Sequence, residues 1–141
     1  MSAGPEALIR SFYAAVAAGD EARVAGVLHP EWEEIPPAYP GQPSGPGGYI
    51  PVVRSFVAAF PDARFDILEI IPAHPKHTVR TMLHGTHRGP FLGREPTGKR
   101  VAFATIDIHE VEGGAIRGRY SLLGLAPDLL VTDHLMPGLT G

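Results

Sequence analysis

The sequence predicts an α+β domain, with helices first and an antiparallel sheet after them. Apolar residues recur at spacings of three and four up to Phe60, and from Phe65 onward they alternate. Between the last two alternating stretches lies Gly113-Gly114, a strong hairpin signal. The 141 residues fit one domain around one core.

From Pro5 to Ala18, the residues Leu8, Ile9, Phe12, Tyr13 and Val16 make one apolar face, and Gly19 is a stop signal. Asp20 then caps a shorter helix with Val24, Val27 and Leu28 inward. It ends at His29-Pro30, because the residue before a proline avoids helical angles. Glu31 to Gly48 carries Trp32, Pro36, Pro37, Pro40, Pro43 and Pro46 among glycines, which predicts a long surface or lid segment without a regular element. Helical spacing resumes at Tyr49 through Val53, Phe56, Val57 and Phe60, with Pro51 in the first turn and Phe60-Pro61-Asp62 as the end. Alternation follows, with Phe65, Ile67, Glu69 and Ile71 on one face and Asp66, Leu68 and Ile70 on the other. Three further strands are expected at about His77 to Thr86, Arg100 to Val111 and Ala115 to Leu125, with a second loop from Gly89 to Lys99.

Composition removes several functions. Twelve Lys+Arg against 15 Asp+Glu give no basic footprint for nucleic acid. The absence of cysteine excludes disulfides, thiolate catalysis, Cys-ligated zinc and iron–sulfur clusters. Met1-Ser2-Ala3-Gly4-Pro5 lacks a basic region followed by an apolar one, and no apolar run approaches the roughly 20 residues of a spanning helix. A cytoplasmic protein without a membrane partner is expected.

Short motifs narrow the chemistry further. Gly93 to Arg100 imitates a phosphate loop, yet position 100 is not Ser or Thr and a strand is expected after it, where helical amides are needed. His74/His77 and His84/His87 lack metal-site spacing, since residues three apart on a strand point to opposite faces. Ser121 has no nucleophile-elbow context. What is left is Ile106-Asp107-Ile108-His109, an acid and an imidazole on one face of a strand. If that face lines a cavity, burial raises the Asp107 pKa toward neutrality and a nearby Arg119 pulls it back; otherwise the two form the polar half of an amphipathic strand.

Phe60-Pro61-Asp62, the run Gly85-Thr86-His87-Arg88-Gly89-Pro90-Phe91-Leu92-Gly93, Pro96-Thr97-Gly98, and Ile106-Asp107-Ile108 ahead of a turn and Ala115-Ile116 stand in a telling order. That order and spacing resemble the SnoaL-like polyketide cyclases of the NTF2-like superfamily, over about residues 6 to 125. The resemblance implies an NTF2-like cone, three N-terminal helices packed on a curved antiparallel sheet that encloses an apolar pocket. It also implies a small-molecule, polyketide-type substrate, intramolecular aldol ring closure without a cofactor, and a homo-oligomer built on the outer sheet face.

In the family's cyclases an Asp is the acid/base and a His lies nearby. Aligned through the hairpin turn, the His position falls on Asp107 and the Asp position on Ser121. Serine has no useful pKa near neutrality. Either Asp107 takes over proton transfer from the opposite strand, with His109 the other catalytic candidate and Arg119, His109 or Ser121 orienting the substrate, or the pocket binds or reshapes a different substrate. Epoxide opening and non-catalytic ligand binding are the alternatives. A two-residue turn sets Asp107 opposite Tyr120, so Asp107 and Ser121 share a face only with a bulge or a longer loop. Tyr13, Trp32, Tyr49, Phe60 and Phe91 are candidates for an aromatic pocket, with core packing as the alternative for Tyr13 and Phe60. His87, within the matched run, joins the substrate-binding candidates.

Overall fold

A computed structural model describes residues 4–124 of the chain. The predicted strand end at Leu125 and the tail after it lie outside the described residues.

Helix α1 (Pro5–Ala18) buries Ile9, Phe12, Tyr13, Ala15 and Val16 and stops at Gly19, whose φ of 67° is a left-handed cap. Asp20 caps α2 (Glu21–Val27) by accepting the Arg23 amide at 3.1 Å. α2 ends at Val27, three residues before Pro30, because Leu28 already begins a strand.

That strand, β1 (Leu28–Ile35), corrects the expectation of an irregular segment from Glu31. Prolines argue against a central strand, but β1 lies at the sheet edge, where Pro30 has no ladder amide to withhold. Its pairing with the last strand is parallel, so the sheet is mixed and not wholly antiparallel. The loop after it folds back at Gly45, whose amide donates to the Trp32 carbonyl at 2.7 Å. Gly45 has φ 88°, and a Cβ there would sit 2.6 Å from the Pro30 carbonyl oxygen.

Helix α3 (Pro46–Ala59) starts a turn earlier than its apolar spacing suggests. Pro46 takes the first-turn place, and Pro51 lies inside the helix. The antiparallel strands β2 (Arg64–Ala73), β3 (Lys76–Thr86), β4 (Arg100–Glu112) and β5 (Ala115–Gly124) follow as expected. The order is β1-β5-β4-β3-β2, an open five-stranded sheet with the three helices on one face, which is the predicted α+β class. Among the described residues no helix is long and apolar enough to cross a membrane.

Two apolar clusters fill the space between the layers. The larger joins α1, α2 and α3 to the sheet through Ile9, Phe12, Val16, Trp32, Tyr49, Val53 and Ile116. The smaller gathers Ala59, Phe60, Leu83, Val101 and Phe103, with Phe91 against them.

Candidate active site

The helix-facing side of the sheet carries an unusual load of polar side chains in register. His77 on β3 pairs with His109 on β4, His109 with Arg119 on β5, and Arg119 with Glu34 on β1, so one row crosses four strands. In the neighbouring row Val79, Asp107 and Ser121 are paired. The pairing of Asp107 with Ser121, rather than Tyr120, comes from a register shift between Glu110 and Val111, the bulge on which a shared face depended.

Asp107 has no solvent exposure. Its carboxylate accepts from the Tyr13 hydroxyl at 2.5 Å and the Ser121 hydroxyl at 2.7 Å, and from Arg119 Nη2 at 3.3 and 3.4 Å. Burial pushes its pKa up, but Arg119 and the other donors together outweigh burial and hold it below the usual carboxylate range. The pKa rise expected from burial is thereby corrected, and Asp107 is ionised at neutral pH.

The Tyr13 hydroxyl has one proton, given to Asp107, and so accepts from His109 Nε2 at 2.9 Å. His109 is the neutral Nε2–H tautomer. Burial, with Arg119 beside it, lowers its pKa to about 3. Burial and the Asp107 charge drive the Tyr13 pKa well above its ordinary value.

Arg119 donates through Nη1 to the Tyr49 hydroxyl at 3.0 Å and lies over the rings of Phe12 and Tyr49, 5.5 and 5.8 Å from their centroids. Burial pushes Tyr49 up to about 12. Trp32 packs edge-on against Tyr49 with ring centroids 4.9 Å apart, so it is both core and a wall of the site. Around this cluster, among the described residues, four buried polar atoms lack a partner: Trp32 Nε1, His77 Nδ1, His109 Nδ1 and Arg119 Nε. Such orphans are uncommon in a folded interior.

Phe60, His87 and Phe91 are not part of this cluster. His87 Nδ1 accepts the Thr97 amide at 3.3 Å, and its ring lies 5.8 Å from that of Phe60 within the smaller apolar cluster. The run packs against the smaller apolar cluster and is tied to the loop that follows it. Asp62 takes the Thr86 amide and hydroxyl, both at 2.7 Å, and the Gly98 amide donates to the His87 carbonyl at 2.8 Å. Among the described residues no group of three His, Asp or Glu could hold a metal ion.

Glu34 is the site residue that sequence reasoning missed. Its only signal was alternation of Trp32 and Glu34 within a segment set aside for its prolines.

The sequence matches the SnoaL-like polyketide cyclase family over residues 7–127. No curated protein matches it. Among solved structures, TsrD from Streptomyces laurentii is 25% identical, with 92% of this chain and 91% of that one covered and a TM-score of 0.77. A SnoaL-like polyketide cyclase from Agrobacterium tumefaciens is 18% identical, with coverage of 92% and 96% and a TM-score of 0.73. A protein with a ketosteroid isomerase-like fold from Catenulispora acidiphila, crystallised with trimethylamine, is 12% identical, with coverage of 87% and 88% and a TM-score of 0.69. The last two likenesses speak for the fold, and the family match takes in both the run from Gly85 to Gly93 and the strands that carry Asp107, Arg119 and Ser121. The chain belongs to the SnoaL-like polyketide cyclase family.

Proposed function

We propose that this protein is a cofactor-independent cyclase or isomerase that closes or rearranges a carbonyl-rich, polyketide-type small molecule by proton transfer, with Asp107 as the base. One observation carries the reading: a fully buried, ionised carboxylate ringed by Tyr13, Ser121 and Arg119, three donors that could also serve a substrate oxygen.

In the free protein these donors hold the Asp107 pKa down, which makes it a weak base. When a substrate carbonyl draws Tyr13 or Arg119 to itself, Asp107 loses part of that stabilisation and becomes more basic at the moment a proton must be taken. The same donors then meet the charge that develops on the substrate oxygen. His109, neutral and bonded to the Tyr13 oxygen, positions that hydroxyl. Ser121 fixes the other carboxylate oxygen, which accounts for a serine in place of the family acid.

Side-chain exposures of 10% for Arg119 and 9% for Glu34, against 0% for Asp107, support approach of the substrate from the Arg119–Glu34 side. The family resemblance further supports a homo-oligomer.

The test is hydrogen–deuterium exchange at the α-carbons of 2-tetralone, followed by NMR in D₂O. The protein is expected to accelerate exchange above buffer, and Asp107→Asn, checked for an unchanged near-UV spectrum, to slow it about 100-fold or more. No acceleration, or an Asp107→Asn variant within about threefold of the parent, would overturn the reading. An epoxide-opening enzyme would leave the α-protons alone.

A further inference from the structure

We propose that Glu34 is a second acid/base group of this site, carrying the proton that Asp107 lacks and delivering it to the substrate oxygen across Arg119. The inference rests on Asp107 being the base and supplies the other half of the proton inventory.

The backbone puts the two carboxyls on either side of one guanidinium. Arg119 pairs with Glu34 on β1, while Asp107 lies two residues from His109, the other strand partner of Arg119. Arg119 Nη2 is 3.3 Å from Asp107 and Nη1 is 3.9 Å from Glu34. The first is a hydrogen-bonded ion pair; the second is beyond hydrogen-bond reach.

Other partners widen the difference. Asp107 also has the hydroxyls of Tyr13 and Ser121, whereas Glu34 has one neutral donor, the Gln42 amide at 3.3 Å. Tyr49 on α3, Arg119 on β5, Asp107 on β4 and Gln42 from the loop are the groups that face Glu34. One guanidinium shared by two carboxyls favours the charge on the one with more donors, so Glu34 holds a proton more readily than Asp107 does. Burial raises the Glu34 pKa by more than Arg119 and Gln42 lower it, while Asp107 is held below its usual range. Two carboxyls driven apart in this way suit one to be an acid and the other a base.

The step balances without any other reactant. Asp107 takes a proton from the carbon beside a carbonyl, the C–H pair becomes a C=C bond, and the carbonyl π pair moves to oxygen. That oxygen takes the Glu34 proton, giving an enol, a neutral Asp107 and an ionised Glu34. The negative charge crosses from one side of Arg119 to the other and never leaves its reach. When the enol carbon attacks a second carbonyl, the new alkoxide takes the Asp107 proton and the enol proton returns to Glu34, which restores both groups.

Glu34→Gln keeps the size and polarity of the side chain but cannot deliver a proton. In the 2-tetralone assay the parent should lose exchange rate as pH rises through the Glu34 titration. The variant should lack that limb and be about 100-fold slower at the optimum. In the parent labelled with δ-¹³C-glutamate, the resonance absent from Glu34→Gln should titrate above about 4.3, the ordinary glutamate value. A resonance that titrates at or below that value, or a variant that keeps both rate and limb, would overturn the role of Glu34. If Asp107→Asn stops exchange and Glu34→Gln does not, the Glu34 role fails alone. Indifference to both substitutions overturns the reading of the site itself.

Discussion

Burying a histidine among an arginine and a second histidine couples this site to acid stability. His109 has its pKa lowered to about 3 in the fold, against about 6.5 in an unfolded chain, so between these values only the unfolded state takes up the proton. Its contribution is complete above about pH 6.5 and is lost as pH falls toward 3. Linkage gives about 2 kcal/mol of lost stability between pH 7 and pH 5. His109→Gln retains a donor for the Tyr13 oxygen and removes the titration. Urea denaturation at the two pH values should show the parent losing about 2 kcal/mol more than the variant, and equal losses would mean that His109 is not buried neutral. Asp107 and Asp62, both held below the usual carboxylate range, act in a lower window. They stabilise above about pH 3.9 and lose that contribution as pH falls through their folded values. At this scale the pair Asp107 and His109 was legible in the sequence, because strand alternation alone puts them on one face. Their protonation states were not, since these depend on Tyr13, from a helix remote in the chain, and on the hairpin register that brings in Arg119.

Elements decide how the site is held. The turn after β3 crosses the end of α3, where the Arg88 and Gly89 amides donate to the Ala59 carbonyl at 2.9 and 3.3 Å. A Cβ at Gly89 would run into the Ala58 carbonyl oxygen, backbone that cannot swing aside. Gly89→Ala is therefore expected to cost about 1–3 kcal/mol. Gly26, inside α2, has nothing within 4 Å of its would-be Cβ, and Gly26→Ala should stabilise by about 0.5–1 kcal/mol. Thermal or urea melts of the two variants read the comparison directly, and effects of the same sign would contradict it. Four strands and the N-terminus of the fold were readable from periodicity. β1 was not, because its proline and the glycines after it are breakers in a central strand and harmless at an edge, and strand order is invisible to local pattern. Glu34 was lost together with β1.

Across the whole molecule, the outer sheet face presents Ile35, Tyr120, Ile108, Thr78 and Ile71 in one row, with Ile106 beside Ile108. Ile71 is 51% exposed and Tyr120 37%. We propose that a second copy of the chain covers this band, as the family resemblance implies. Light scattering should give a dimer or larger for the parent and a monomer for Ile71→Glu with Tyr120→Glu. A monomeric parent, or an assembly that survives both changes, would sink the proposal. The sequence by itself determined the α+β class, the helical opening, the hairpin at Gly113-Gly114 and the candidacy of Asp107, since each follows from spacing within a short window. Only the tertiary structure decided the parallel edge strand, the bulge that turns Ser121 toward Asp107, the separation of His87 from the site, and the sharing of Arg119 between two carboxyls. The edge strand and the sharing of Arg119 arise from a pairing between segments far apart in the chain, and the bulge is a change of register inside a hairpin; a local pattern encodes neither.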